Sequence, residues 1–267
     1  MPVKPKSILL GYRCFYVLMF LFIPILESFV VAGTPDLDLR PITKQGADSL
    51  INFMLCGSKT AENVSANEIK ALLVSDNFAD RECAAHILGK GVVIDTTEAI
   101  QLLINALKNE VDSAISYQNL EHSSLPQTEL LKLGYLSSLE ALADTGKAII
   151  KKYLESSTGE FRTRLIILMA RLGDPVARVE IRNILLNDTD PYLRFDAAGV
   201  ILDSPSEGDI PALREALKDT FYAEDISHNR FYGVRINAAN ALMKLGFEMK
   251  RIGQHLENYE IVREPEK

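Results

Sequence analysis

The residues able to carry chemistry are few. The chain of 267 residues has four histidines, His86, His122, His228 and His255, and three cysteines, Cys14, Cys56 and Cys83. Two of the histidines have acidic neighbours: Glu121 precedes His122, and Glu224-Asp225 stand just ahead of His228. Carboxylate and imidazole are the donor types that hold a transition metal. Neither set has further ligands at metal spacing, so no metal ligand is expected. HExxH, paired CxxC, P-loop and GxSxG motifs are all missing from the sequence, and a hydrolase serine would need a strand-turn-helix setting for which no strand is expected. The chain is therefore expected to be no enzyme, with no catalytic residue and no cofactor.

What remains is a surface that binds, and the elements that would position it are helices. Hydrophobic residues make up 47% of the chain and charged residues 24%, a balance that buries a core and excludes collagen-like and disordered classes. A formal charge of -7 repels polyanions, so no nucleic acid is expected as a partner. From Ser65 onward amphipathic helical runs alternate with short breaks. Ser65 with Glu68 and Asp95 with Glu98 form capping patterns, and Asp174-Pro175 and Asp190-Pro191 set an acceptor before a proline at the first helical position. Gly146, Gly173 and Gly246 are expected to close helices in the left-handed conformation.

Five stretches superpose, beginning Asp80-Arg81, Gly134-Tyr135, Phe161-Arg162, Leu193-Arg194 and Val234-Arg235. Counted from the Arg or Tyr, places three and four are small or apolar: Ala84-Ala85, Ser138-Leu139, Leu165-Ile166, Ala197-Ala198 and Ala238-Ala239. Place seven is Leu88, Leu142, Met169, Ile201 or Leu242. Such spacing draws one buried helix stripe. Each stretch follows another amphipathic run: Ile69–Val74, Ala99–Leu107, Ala148–Leu154, Val176–Leu186 and Ile210–Leu217. The unit is thus an antiparallel helix pair, and stacked pairs share a core that neither helix could bury alone.

This pattern resembles the HEAT-repeat family, more closely its short bacterial HEAT-like repeats of phycobilisome-lyase type, from about Asn67 to Met249. The small-residue pair, the Arg opening the second helix and the closing Leu-Gly carry the resemblance. Start-to-start intervals of 54, 27, 32 and 41 residues depart from a regular array, Tyr135 replaces Arg, and Gly91 comes early. The expected fold is all-α: an α-solenoid of about five stacked antiparallel helix pairs with an N-terminal cap helix. The resemblance implies that Arg81, Arg162, Arg194 and Arg235 tie neighbouring units together and that the second helices line a concave groove. Places two, five and nine of those helices put His86, Glu140, Arg164, Arg171, Asp196, Asn237, Asn240 and Lys244 on that face. Mixed charge there suits a protein or peptide partner better than a polyanion, and an ordinary solvated face is the other reading.

Two breaks, Glu110–Gln127 and Thr220–Arg230, exceed ordinary helix connections. They belong to the second and fifth units, and helix spacings of about 8–10 Å would set them roughly 25–30 Å apart, so they share no site. Phe221-Tyr222 and Phe231-Tyr232 bracket the second break. Phe231 is expected to anchor it and Tyr222 to face a partner.

The N-terminus carries its own grammar. Lys4, Lys6 and Arg13 precede an apolar run from Cys14 to Leu26, Glu27 ends it, and Val30-Val31-Ala32 offers small residues for a peptidase. Residues 1–32 are expected to be a cleaved signal peptide, making the protein exported, periplasmic or secreted. Without cleavage the same segment would anchor the chain in the inner membrane as a structural element. Residues 33–64 form a lead-in and cap helix, 65–250 the HEAT-like domain, and 251–267 a fraying tail. An oxidising compartment permits Cys56 and Cys83 to pair, while two separate buried thiols are the alternative. The family resemblance also admits a lyase-like or enzyme-accessory role.

Overall fold

The computed structural model describes residues 56, 63–91, 93–113, 127–224, 230–253 and 258–265. The expected signal peptide, most of the lead-in and cap helix, and His122, His228 and His255 lie outside these residues. The chain divides into two compact units at Ser58–Lys59. In the first, Cys56 is the described residue; it is helical, buried and disulfide-bonded.

The second unit is all-α apart from two small hairpins. Its described helices are α1 (Ala66–Leu73), α2 (Phe78–Gly89), α3 (Thr96–Ser113), α4 (Gln127–Ala141), α5 (Ala143–Ser156), α6 (Gly159–Arg171), α7 (Pro175–Asn187), α8 (Pro191–Asp203), α9 (Ile210–Ala216) and α10 (Gly233–Lys244), with a 3-10 turn at Glu207–Asp209 before α9. Local chemistry sets their starts. Ser65 and Glu68 form a reciprocal capping box at α1, and Asp95 accepts from the amides of Thr97 and Glu98 at α3. Asp174 and Asp190 cap α7 and α8, each ahead of a first-turn proline. These acceptors satisfy amides that have no partner inside the helix.

Gly173 and Gly246 close α6 and α10 with φ of 76° and 91°, as their positions predict. Gly146 does not close a helix. α4 ends earlier, at Ala141, and Gly146 lies inside α5, where a Cβ would come within 2.6 Å of Ile100 Cδ1. Close approach of α5 to α3 is what this glycine provides, and the run expected to begin at Ala148 begins at Ala143.

Packing follows the small-and-apolar stripe. Ala84, Ala85, Leu139, Leu165, Ala197, Ala198, Ala238 and Ala239 are all buried, and so are Leu88, Leu142, Met169, Ile201 and Leu242 at place seven. Consecutive helices pack as α1 on α2, α3 on α4, α5 on α6, α7 on α8 and α9 on α10. The even-numbered helices also pack in file, α2 on α4, α4 on α6, α6 on α8 and α8 on α10, while α3 meets α5 and α7 meets α9.

Strands occur where none was expected. β1 (Ala223–Glu224) pairs antiparallel with β2 (Arg230–Phe231), bringing the two sides of the second long break together. β3 (Glu248–Ile252) pairs antiparallel with β4 (Asn258–Arg263), so the tail expected to fray from residue 251 is a hairpin that starts before it. Met249, Tyr259 and Ile261 share its half-buried face, and its far end is held where Pro265 lies against Gly246. The first break is shorter than expected on its leading side, since α3 runs on through Glu110 to Ser113.

Candidate interaction surface

The even-numbered helices were expected to present a polar groove, and their charged residues instead close against one another. Glu129 lies in the first turn of α4, Glu160 in the first turn of α6, and Asp190 caps α8. Acidic groups at helix N-termini complement the helix dipole. Between them stand two cations almost wholly withdrawn from solvent: Lys132, 2% exposed, and Arg164, 0% exposed. Lys132 Nζ donates to Glu129 Oε1 at 2.7 Å and to Glu160 Oε1 at 2.8 Å. Arg164 donates through Nε to Glu160 Oε1 at 2.7 Å and through Nη2 to Glu129 Oε2 at 2.6 Å. Two helices, α4 and α6, are pinned by four side chains.

Charge states follow from that setting. Burial works against the Arg164 cation, but Glu129, Glu160 and Asp196 outweigh it and raise its pKa further. Burial pushes Glu160 up, and Arg164 and Lys132 more than reverse this, leaving it below the usual carboxylate range. Asp190, where burial dominates, is raised. On the α2 side, burial raises Glu110 and takes Glu82 from 4.5 to about 7.

A second knot lies two turns along α6. The Arg171 side chain is 4% exposed and stands 3.8 Å from both the Glu140 carboxylate of α4 and the Asp196 carboxylate of α8. Arg164, Arg171 and Asp196 therefore do not lie on an open face, contrary to their expected place. The close approach of α4, α6 and α8 turns Arg164, Arg171 and Asp196 toward the next helix, whereas Ser137 at place two and Lys90, Asp144, Asp203 and Lys244 at place nine are exposed. Cys83, at place two of α2, is likewise buried and is disulfide-bonded. His86, Glu140, Asn237 and Asn240 are half-buried, and Lys244 is exposed with Nζ donating to Leu202 O at 2.8 Å.

The repeated arginines reach neighbouring elements. Arg81 bonds Ser75 O at 2.7 Å and lies 3.8 Å from Glu110 of α3. Arg162 pairs with Glu180 of α7 at 3.1 Å, and Arg194 with Asp219, beyond α9, at 2.6 Å. Arg235 donates to Asp219 O and, at 2.6 Å, to Asn258 Oδ1 of β4.

Around the β1–β2 hairpin the aromatics are organised by arginines. Arg230 lies over the Tyr222 ring at 4.5 Å, Tyr222 packs on Tyr232 with centroids 5.6 Å apart, and Arg235 covers Tyr232 at 4.4 Å. Phe221 meets Tyr192 edge-on at 5.2 Å. Gly233 lets Phe195 and Phe231 approach, because a Cβ there would come within 2.6 Å of Phe195. Tyr222 and Phe231 are both half-buried, so the expected division between an exposed Tyr222 and an anchoring Phe231 does not hold. Four residues form a stack of arginine, tyrosine, tyrosine and arginine. Its signal in the sequence is the placement of Arg230 and Arg235 on either side of Phe231-Tyr232, which brings cation–π partners within reach.

No protein-family model, no curated protein and no solved structure matches the chain. The resemblance to HEAT repeats therefore rests on this chain's own residues. Among the described residues no helix is long and apolar enough to cross a membrane, and no group of three or more His, Cys, Asp or Glu is placed to hold a metal ion.

Proposed function

We propose that the protein is an exported α-solenoid scaffold of about five HEAT-like helix pairs that binds a protein or peptide partner. The observation that carries this reading is the Arg230-Tyr222-Tyr232-Arg235 stack. Tyrosine and arginine are the side chains most enriched at binding hot spots, and a stacked, half-open set loses little further freedom on association. His86, Glu140, Asn237, Asn240 and Lys244, the polar residues of the even helices that keep some exposure, extend the proposed surface. The solenoid reading is supported by the two patterns of contact, consecutive helices in pairs and even helices in file. Export is supported by the basic, apolar and small-residue order of residues 1–32. The disulfide-bonded state of Cys56 and of Cys83 suits an oxidising compartment.

Affinity capture with crosslinking from the native envelope fraction tests the binding reading. Tyr222→Ala should lower partner recovery at least tenfold, while Leu242→Ala, which weakens the core, should leave recovery intact under folding conditions. Unchanged recovery with Tyr222→Ala would remove the stack from the site. N-terminal sequencing should begin at Gly33, whereas a full-length chain recovered in membranes would replace export by anchoring.

A further inference from the structure

A groove of about 660 Å³ runs between α9 and β4. Its cationic side is Arg214, Lys218 and Arg235, set against a single lining carboxylate, Glu215, in a chain whose formal charge is -7. Leu217, Tyr259 and Ile261 supply apolar floor. The groove's basic rim already holds one carboxylate of this chain: Glu264, just past β4, accepts from Arg214 Nη2 at 2.5 Å. Among the described residues Lys218 is engaged only by Glu215, at 2.9 Å, and its side chain remains 72% exposed.

The strand beside the groove is half-paired. β4 bonds to β3 along one edge, and among the described residues no other backbone group bonds to it. β4 lines the groove through Asn258, Tyr259 and Ile261, and no residue of β3 is among the lining residues. An exposed strand edge offers a ready ladder of amide and carbonyl groups.

We propose that this groove receives an extended acidic segment of a partner protein, which adds as a third strand to the outer edge of β4 and sets its carboxylates against Lys218, Arg214 and Arg235. Main-chain bonding supplies affinity in such strand addition, and alternate side chains supply selection. Alternation places every second residue of the incoming strand toward the same side, so a segment with glutamate or aspartate at every second position fits the wall. The inference deepens the scaffold reading by naming a second surface and the chemistry of the segment it takes. It shares Arg235 with the Tyr222 stack but does not depend on Tyr222.

The test uses the full chain and a fluorescein-labelled octapeptide alternating glutamate and valine, followed by fluorescence anisotropy. The acidic peptide should bind at low ionic strength and weaken as salt is added, and the same peptide with lysine for glutamate should not bind. Lys218→Ala, at an exposed position that leaves folding undisturbed, should weaken binding at least threefold, and Lys218→Glu at least tenfold. Methylating every second backbone nitrogen of the peptide should abolish binding, because it removes the donors needed by a strand edge. Equal binding of the methylated or the lysine peptide would overturn the proposal, as would indifference to Lys218→Glu or no binding at all. Concentration-dependent self-association that the peptide competes away would assign the edge to a second copy of this chain and overturn it likewise. Partner capture that stays sensitive to Tyr222→Ala while the peptide fails would remove the groove and leave the scaffold reading standing.

Discussion

Arg164 of α6 and Glu129 of α4, separated by 35 positions in sequence, meet at 2.6 Å in a site where the arginine is wholly buried. The bond takes a charge that the sequence pattern assigns to an open face and makes it an internal clamp between two helices.

Breaking that clamp from one side should be severe. Arg164→Ala leaves the buried Glu129 carboxylate hydrogen-bonded to Lys132, and Glu129→Ala leaves the guanidinium hydrogen-bonded to Glu160 with Asp196 as its other stabilising charge. Removing one partner of a buried ion pair costs about 3–5 kcal/mol. Urea unfolding should show a loss of that order for each variant, and a double variant should lose less than the sum because the two share one interaction.

Glu82 makes stability fall as the pH rises. Its pKa moves from 4.5 to about 7 through burial, so the folded state holds the proton more tightly than the unfolded chain. Below pH 4.5 both states are protonated and no penalty exists; between there and about pH 7 the penalty grows, and above it is constant. The shift corresponds to roughly 3 kcal/mol at most. Glu110 and Asp190, also raised, act in the same direction. Glu160 and Asp209 are lowered and weaken the fold only as the pH falls below the usual carboxylate range. The urea midpoint should be higher at pH 5 than at pH 8, and Glu82→Gln should flatten that difference.

Gly146 tests whether a glycine acts through conformation or through space. In the middle of a helix, alanine is favoured over glycine by about 1 kcal/mol. Here the added methyl meets Ile100 Cδ1 at 2.6 Å in a fully buried contact. Gly146→Ala should therefore destabilise by about 1–3 kcal/mol, and Ile100→Val, which deletes that methyl, should absorb much of the loss. Thermal melts of the two single variants and the double variant give the coupling.

The stripe and the polar face of α10 should respond differently. Leu242 is fully buried and Asn240 only half-buried. Leu242→Ala should cost about 2–5 kcal/mol and Asn240→Ala less than about 1 kcal/mol. Equal shifts in the urea midpoint would contradict the assignment of the two faces.

Much of the fold is legible residue by residue. Helix starts at Ser65, Asp95, Asp174 and Asp190 depend on an acceptor and an amide two or three positions away, and helix ends at Gly173 and Gly246 depend on one residue's freedom at positive φ. The 3-4-7 stripe is written by the helical period, which is local too. The β3–β4 pair left a fainter trace: Tyr259 and Ile261 alternate with polar residues, but β3 shows little matching alternation.

The sequence by itself determined where helices begin, which of their faces are apolar and which glycines can turn the chain, because those properties need only near neighbours. Only the tertiary structure decided what the polar faces do. Arg164, Arg171 and Asp196 have the composition of a solvated stripe, and the close approach of α4, α6 and α8 turned that stripe inward. Gly146 reads as a helix stop until Ile100 of another helix occupies the space of its missing side chain. Whether a charge meets water or an opposite charge depends on the distance to the next helix, which the packing of the whole unit sets.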